Sequence, residues 1–117
     1  AGLLLARGAW DEAIAQLRQV LRVATDDPEA REKLAGALES RAGAQAAAGD
    51  LRQAVADLRE VAALRPEDSD AWANLGVALA RQGDFAEAGA ALERALRLNP
   101  DSEGARRNLD RVRQRVR

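Results

Sequence analysis

The side chains that could carry chemistry in this chain are carboxylates, guanidinium groups and two tryptophans. Its 117 residues contain no Cys and no His. That removes disulfides, thiolate and imidazole metal ligands, and catalysis by either group. Two acidic clusters remain, Asp26-Asp27 and Glu67-Asp68-x-Asp70. Carboxylates this close would serve cation ligation or acid/base work. Both clusters stand in loops entering helices, where capping and the helix dipole already favour acidic residues, and the spacing of a calcium loop is absent. They read as caps. Near the end of the chain, Arg106, Arg107, Arg111, Arg113, Arg115 and Arg117 face only Glu103 and Asp110. Such a run could meet phosphate or an anionic surface. It lacks interleaved aromatics and a bulky apolar face, so it reads as a solvated helix. No catalytic residue, metal site or cofactor follows from these patterns.

The elements that would position these groups are helical. The chain is 47% hydrophobic but only 3% aromatic, and Ala and Leu, both strong helix formers, dominate. One phrase recurs three times: Gly8-Ala9-Trp10-Asp11-Glu12-Ala13, Gly49-Asp50-Leu51-Arg52-Gln53-Ala54 and Gly83-Asp84-Phe85-Ala86-Glu87-Ala88. The intervals are 41 and then 34 residues, a period typical of stacked helical repeats. Pro28, Pro66 and Pro100 punctuate the apolar runs. These signals predict seven helices, at about 1–7, 10–23, 28–48, 51–64, 70–82, 85–98 and 102–117. Asp27 caps the helix opened by Pro28, Asp68 or Ser69 the next first helix, and Asp101 or Ser102 the last. Asp50 with Gln53, and Asp84 with Glu87, have capping-box spacing. No apolar run reaches the roughly 18 residues of a membrane span. The net charge of −1 argues against a nucleic-acid binder. Nothing chooses a compartment. A chain opening on Ala1 reads as a piece of a longer protein.

Residues 69–100 carry Trp72-x-x-Leu75-Gly76-x-x-Leu79, then Ala88-x-x-x-Leu92, Ala95 and Pro100. This pattern resembles the tetratricopeptide repeat. The resemblance implies an all-α fold, a right-handed superhelical array of antiparallel helix pairs. Trp10 and Trp72 fall on its core positions. Gly76 and Ala88 are the small residues expected where two helices cross. Leu51, Ala54, Leu58, Val61 and Pro66 fit a preceding second helix. Its first helix fits when seven residues are inserted, so that Leu34, Ala35 and Leu38 take the places of Leu75, Gly76 and Leu79. Without the insertion Arg41 would fall on a buried leucine position. Helix 28–48 is therefore expected to be lengthened by roughly 10 Å and to overshoot its neighbours, with a break near Gly43 as the alternative. The Ala-rich stretch 42–48 is then helix lengthening packed on a neighbour, or a contact with another protein. The expected single domain divides into a truncated repeat (1–27), the lengthened repeat (28–68), a near-consensus repeat (69–101) and a charged capping helix (102–117).

By the same resemblance, the first helix of each pair lines a concave surface that binds peptides or protein segments. The implied groove residues are Glu29, Glu32, Gly36 and Glu39, then Asp70, Ala73, Asn74, Val77, Ala80 and Arg81, then Arg107, Asn108 and Arg111. Glu29, Glu32, Glu39, Asn74, Val77, Arg81, Arg107 and Arg111 are the candidate partner-binding residues, acidic at one end and basic at the other. The two-carboxylate clamp of some family members fails at four of five positions: Asn74 matches, but Glu32, Gly36, Gly104 and Asn108 do not. The implied function is a non-catalytic protein-interaction scaffold, part of a larger protein or assembly, whose partner is a protein or peptide segment and not nucleic acid or a membrane interior. The alternative is self-association through the open N-terminal half-repeat carrying Leu3, Leu4 and Leu5.

Overall fold

Gly49 and Gly83 have φ of +87° and +97°, and no other described residue has a positive φ. The two turns are built alike. The Gly83 amide donates to the Ala80 carbonyl, and Asp84 N–H to Leu79. The Gly49 amide donates to Ala46, and Asp50 N–H to Gln45. This pair of hydrogen bonds closes the last helical turn and reverses the chain, and it requires the left-handed residue that glycine supplies. In the computed structural model, which describes residues 2–116 and side chains from residue 8 onward, the chain is all-α.

Six helices are present among the described residues: α1 (Gly2–Val23), α2 (Pro28–Ala47), α3 (Leu51–Leu64), α4 (Ser69–Gln82), α5 (Phe85–Leu98) and α6 (Glu103–Val116). They form two compact units, α1–α3 up to Leu64 and α4–α6 from Arg65. None of the described helices is long and apolar enough to cross a membrane.

In the second unit the sequence acts as read. Asp68 caps α4 by accepting from Asp70 N–H at 2.9 Å. Ser69 instead donates from its hydroxyl to the Ala95 carbonyl at 3.0 Å, tying α4 to the far end of α5. Ser102 caps α6 through Ala105 N–H. The expected Asp84–Glu87 box does not form, because the Asp84 side chain accepts no capping bond; the glycine turn alone starts α5. Leu79, Leu92, Ala88 and Ala95 are fully buried, each large side chain contributing about 1.5–3 kcal/mol by leaving water. A Cβ on Gly76 would sit 2.7 Å from Leu92 Cγ and 3.2 Å from the Ala88 carbonyl. Gly76 is thus the contact that lets α4 and α5 close. Ala105, Leu109 and Val112 then lay α6 against α5.

The first unit departs from expectation in two places. Residues 1–7 and 10–23 are not separate helices, since α1 runs unbroken through Gly8 to Val23. The first copy of the phrase is Gly-Ala where the others are Gly-Asp, and alanine offers no side-chain acceptor to start a helix. The second departure is one of register. The Gly49 turn repeats the Gly83 turn 34 residues earlier, so Arg41, Ala42 and Gln45 occupy the places of Leu75, Gly76 and Leu79, not the expected Leu34, Ala35 and Leu38. The additional residues lie at the start of α2, where Asp27 caps it by accepting from Glu29 and Ala30 N–H. α2 has 20 residues against 14 in α3, about 9 Å more, and it is unbroken at Gly43. It is not longer than α1, which has 22.

Arg41 is tolerated on a buried position because Asp57 replaces Ala91 opposite it. The Arg41 Nε and Nη2 atoms each donate to a carboxylate oxygen of Asp57 at 2.8 Å, and Nη1 donates to Asp11 at 2.7 Å. One guanidinium thereby joins all three helices. Asp57 is 4% exposed, and the Arg41 side chain 17%. The bond to Asp57 holds Arg41 protonated well above its ordinary range; burial opposes this, and the Asp11 bond adds to it. Gln45, 5% exposed, stands on the Leu79 position, and its Oε1 accepts no hydrogen bond among the described residues.

Urea denaturation of five variants checks this packing. Arg41→Leu alone strands the Asp57 charge and should cost about 3–5 kcal/mol, whereas Arg41→Leu with Asp57→Ala restores the second unit's apolar pair and should match or exceed the parent. Gln45→Leu removes an unsatisfied buried carbonyl and should stabilise by about 1 kcal/mol. Gly76→Ala should destabilise by about 1 kcal/mol despite its helix propensity; Gly36→Ala, with nothing within 4 Å of the added Cβ, should stabilise by about 0.5–1 kcal/mol.

Candidate functional site

The acidic candidates lie in the first unit on one face of α2. Glu29, Glu32, Gly36 and Glu39 recur at three- and four-residue spacing, which keeps them in line along a helix. Glu29 is exposed and pairs with Lys33 at 3.0 Å. Glu32 is exposed and Glu39 half-buried. The remaining candidates belong to the second unit. Asn74, Val77 and Arg81 follow one another up α4, and Arg107 and Arg111 lie on α6.

The second unit brings Val77, Arg81 and Arg111 together. They line an open cavity of ≈ 460 Å³ between the C-terminal halves of α4 and α6. Asn74 and Arg107 are not part of its wall. Ala80, Gln82 and Gly83 complete the α4 side, Asn108, Val112 and Arg115 the α6 side, and Phe85 closes the bottom. Val77 is 36% exposed and turns its branched apolar side chain to the cavity. The cavity therefore has an apolar floor and a cationic rim.

Sequence reasoning missed Arg115, Phe85 and Val112. Arg115 stands one turn beyond Arg111, so the four-residue spacing could have found it. Phe85 carries a core-type signal on α5. No local pattern marks it as a cavity wall, because that depends on where α6 lies.

The α6 arginines divide between two faces. Arg106 donates to the Pro100 carbonyl at 3.2 Å, and Arg113 pairs with Glu93 at 3.6 Å. No carboxylate lines the cavity, and among the described residues no ion pair engages Arg81, Arg111 or Arg115. Trp72 stands apart from this wall. It is half-buried, donates from Nε1 to the Pro66 carbonyl at 2.9 Å, and lies 5.0 Å beneath the Arg94 guanidinium. Its interactions brace the α4 entry. The side chains of Leu3, Leu4 and Leu5, on which the self-association alternative rests, lie outside the described residues.

Comparison with known proteins agrees with this architecture. No curated protein sequence matches the chain significantly. Among solved structures, the crystal structure of MamA is 24% identical, with a TM-score of 0.65 over 93% of this chain and 60% of MamA; the chain thus spans about three fifths of that relative. The Sgt2 tetratricopeptide repeat domain from Aspergillus fumigatus is 26% identical, with a TM-score of 0.64 over 96% of this chain and 71% of that one. The first tetratricopeptide repeat of Spaghetti (RPAP3), bound to the HSP90 peptide SRMEEVD, is 24% identical, with a TM-score of 0.64 over 93% of this chain and 81% of that one. A tetratricopeptide repeat family model matches residues 1–48 and 41–103. With the paired helices, the repeated glycine turns and the Gly76 crossing, this match establishes that the chain belongs to the tetratricopeptide repeat family.

Proposed function

We propose that the chain is a non-catalytic protein-interaction scaffold. Its first-helix faces, the acidic one on α2 and the cavity-bearing one on α4 and α6, receive a segment of a partner protein. The observation that carries this reading is the cavity between α4 and α6. Val77 and Phe85 are only partly covered there, and charged side chains surround them without closing over the opening. An apolar floor with a few polar groups around it is the usual form of a site that orients a small number of side chains. The peptide held by the Spaghetti repeat supports the same reading by analogy of fold. The division into a truncated repeat, a lengthened repeat, a near-consensus repeat and a capping helix belongs to this proposal. In it, the lengthened α2 enlarges the acidic face, and α6 covers α5.

A photo-crosslinking amino acid can separate faces without disturbing the fold. Placed at Glu32 or Asn74, both exposed, it should capture one discrete protein from an extract of the source cells. Placed at Arg52 on α3 or Arg97 on α5, also exposed, it should capture none. Equal capture from all four positions would refute binding through the first helices. The double variant Glu32→Arg with Arg107→Glu should lose the captured partner while keeping its helical circular dichroism, since both side chains are exposed and account for little stability.

A further inference from the structure

We propose that the cavity between α4 and α6 selects an acidic protein segment. One apolar side chain of the segment seats on Val77, Phe85 and Val112, and its carboxylates meet Arg81, Arg111 and Arg115. The inference rests on the scaffold reading and adds the chemistry of the partner. Two observations carry it. The rim holds three guanidinium groups and no carboxylate. The arginines on the other side of α6 are engaged within the chain, Arg113 with Glu93 and Arg106 with the Pro100 carbonyl. The helix dipole favours a cation in the last turn of α4 or α6, but it does not explain an apolar floor beneath three of them.

The floor also separates a protein segment from a bare polyanion. A phosphate or nucleic-acid backbone would neutralise the rim and leave Val77, 36% exposed, uncovered. A peptide with one large apolar residue between acidic ones would satisfy both surfaces. A volume of ≈ 460 Å³ suits a few side chains, not a folded domain. Because the rim is exposed, its charges should set orientation and association rate more than final affinity, and raised salt should weaken them.

The test is selection from a random peptide display library against the folded 117-residue chain. The expected ligands carry at least two acidic residues around a Leu or an aromatic residue. Affinity of a resynthesised peptide should fall roughly threefold for each of Arg81→Ala, Arg111→Ala and Arg115→Ala, and roughly thirtyfold for all three, as exposed ion pairs do. Val77→Gln should also weaken it. Reversal of all three arginines to Glu should turn the selected sequences basic. Neutral or basic ligands on the parent chain, or acidic ligands indifferent to the triple alanine variant, would overturn the inference yet leave the scaffold reading standing. Failure to select any peptide, with crosslinking at Asn74 intact, would overturn the inference alone; loss of the crosslink as well would remove both. An oligothymidylate or inorganic phosphate that displaces the peptide at equal concentration would show a charge-only site and likewise overturn it.

Discussion

The α2–α3 and α4–α5 hairpins each turn on one glycine with positive φ, bonded back through its own amide and the next. The geometry leaves no freedom of register. Once Gly49 and Gly83 are placed, the residues three to eight positions before each glycine must face those five to nine positions after it. Gly76 meets Leu92 and Ala88 for that reason. Arg41 meets Asp57 for the same reason, although charged residues seldom occupy such positions. The turn bonds cannot be moved by one residue to spare a side chain, because a slip would leave the last carbonyls of the helix unpaired. Side chains adapt to the turn, and not the reverse.

The two units solve one packing problem with different chemistry. In the second, Leu75, Leu79 and Ala91 fill the space between a crossing pair of helices. In the first, Arg41, Gln45 and Asp57 stand there. Removing a guanidinium and a carboxylate from water is expensive. The compensation is geometric: both oxygens of Asp57 are engaged in a parallel pair of short bonds, and Asp11 takes a third donor. Apolar replacement of such a pair is often neutral or stabilising; what the pair supplies here is a link that ties α1, α2 and α3 to one guanidinium.

The charges at the surface follow a related division. α6 carries arginines on nearly every side, and a helix so charged would be a poor helix alone. Ala105, Leu109 and Val112 give it a narrow apolar seam against α5. That seam fixes its rotation, so Arg106 and Arg113 turn toward acceptors within the chain and Arg111 and Arg115 toward the cavity. The cationic rim of the cavity is in this sense a by-product of three small apolar contacts.

The sequence by itself determined the helical class, the cap at Asp27, the glycine turns at 49 and 83, and the family, and it narrowed the caps of α4 and α6 to two neighbouring residues each, from which the structure takes Asp68 and Ser102. These features are local or periodic, and their energies depend on residues within one or two turns. The family resemblance also picked out Val77, Arg81 and Arg111, and the structure sets these three around one cavity. The continuity of α1 through Gly8 was legible in the missing Asp at position 9, a signal outweighed by the recurring glycine. What only the tertiary structure decided was which of two face-preserving registers α2 takes, since a seven-residue shift leaves the apolar stripe nearly unchanged and the deciding partner, Asp57, lies on another helix. The cavity belongs to the same class. Its floor joins residues of α4, α5 and α6, and no periodicity within one helix can report how far a neighbouring helix stands from it.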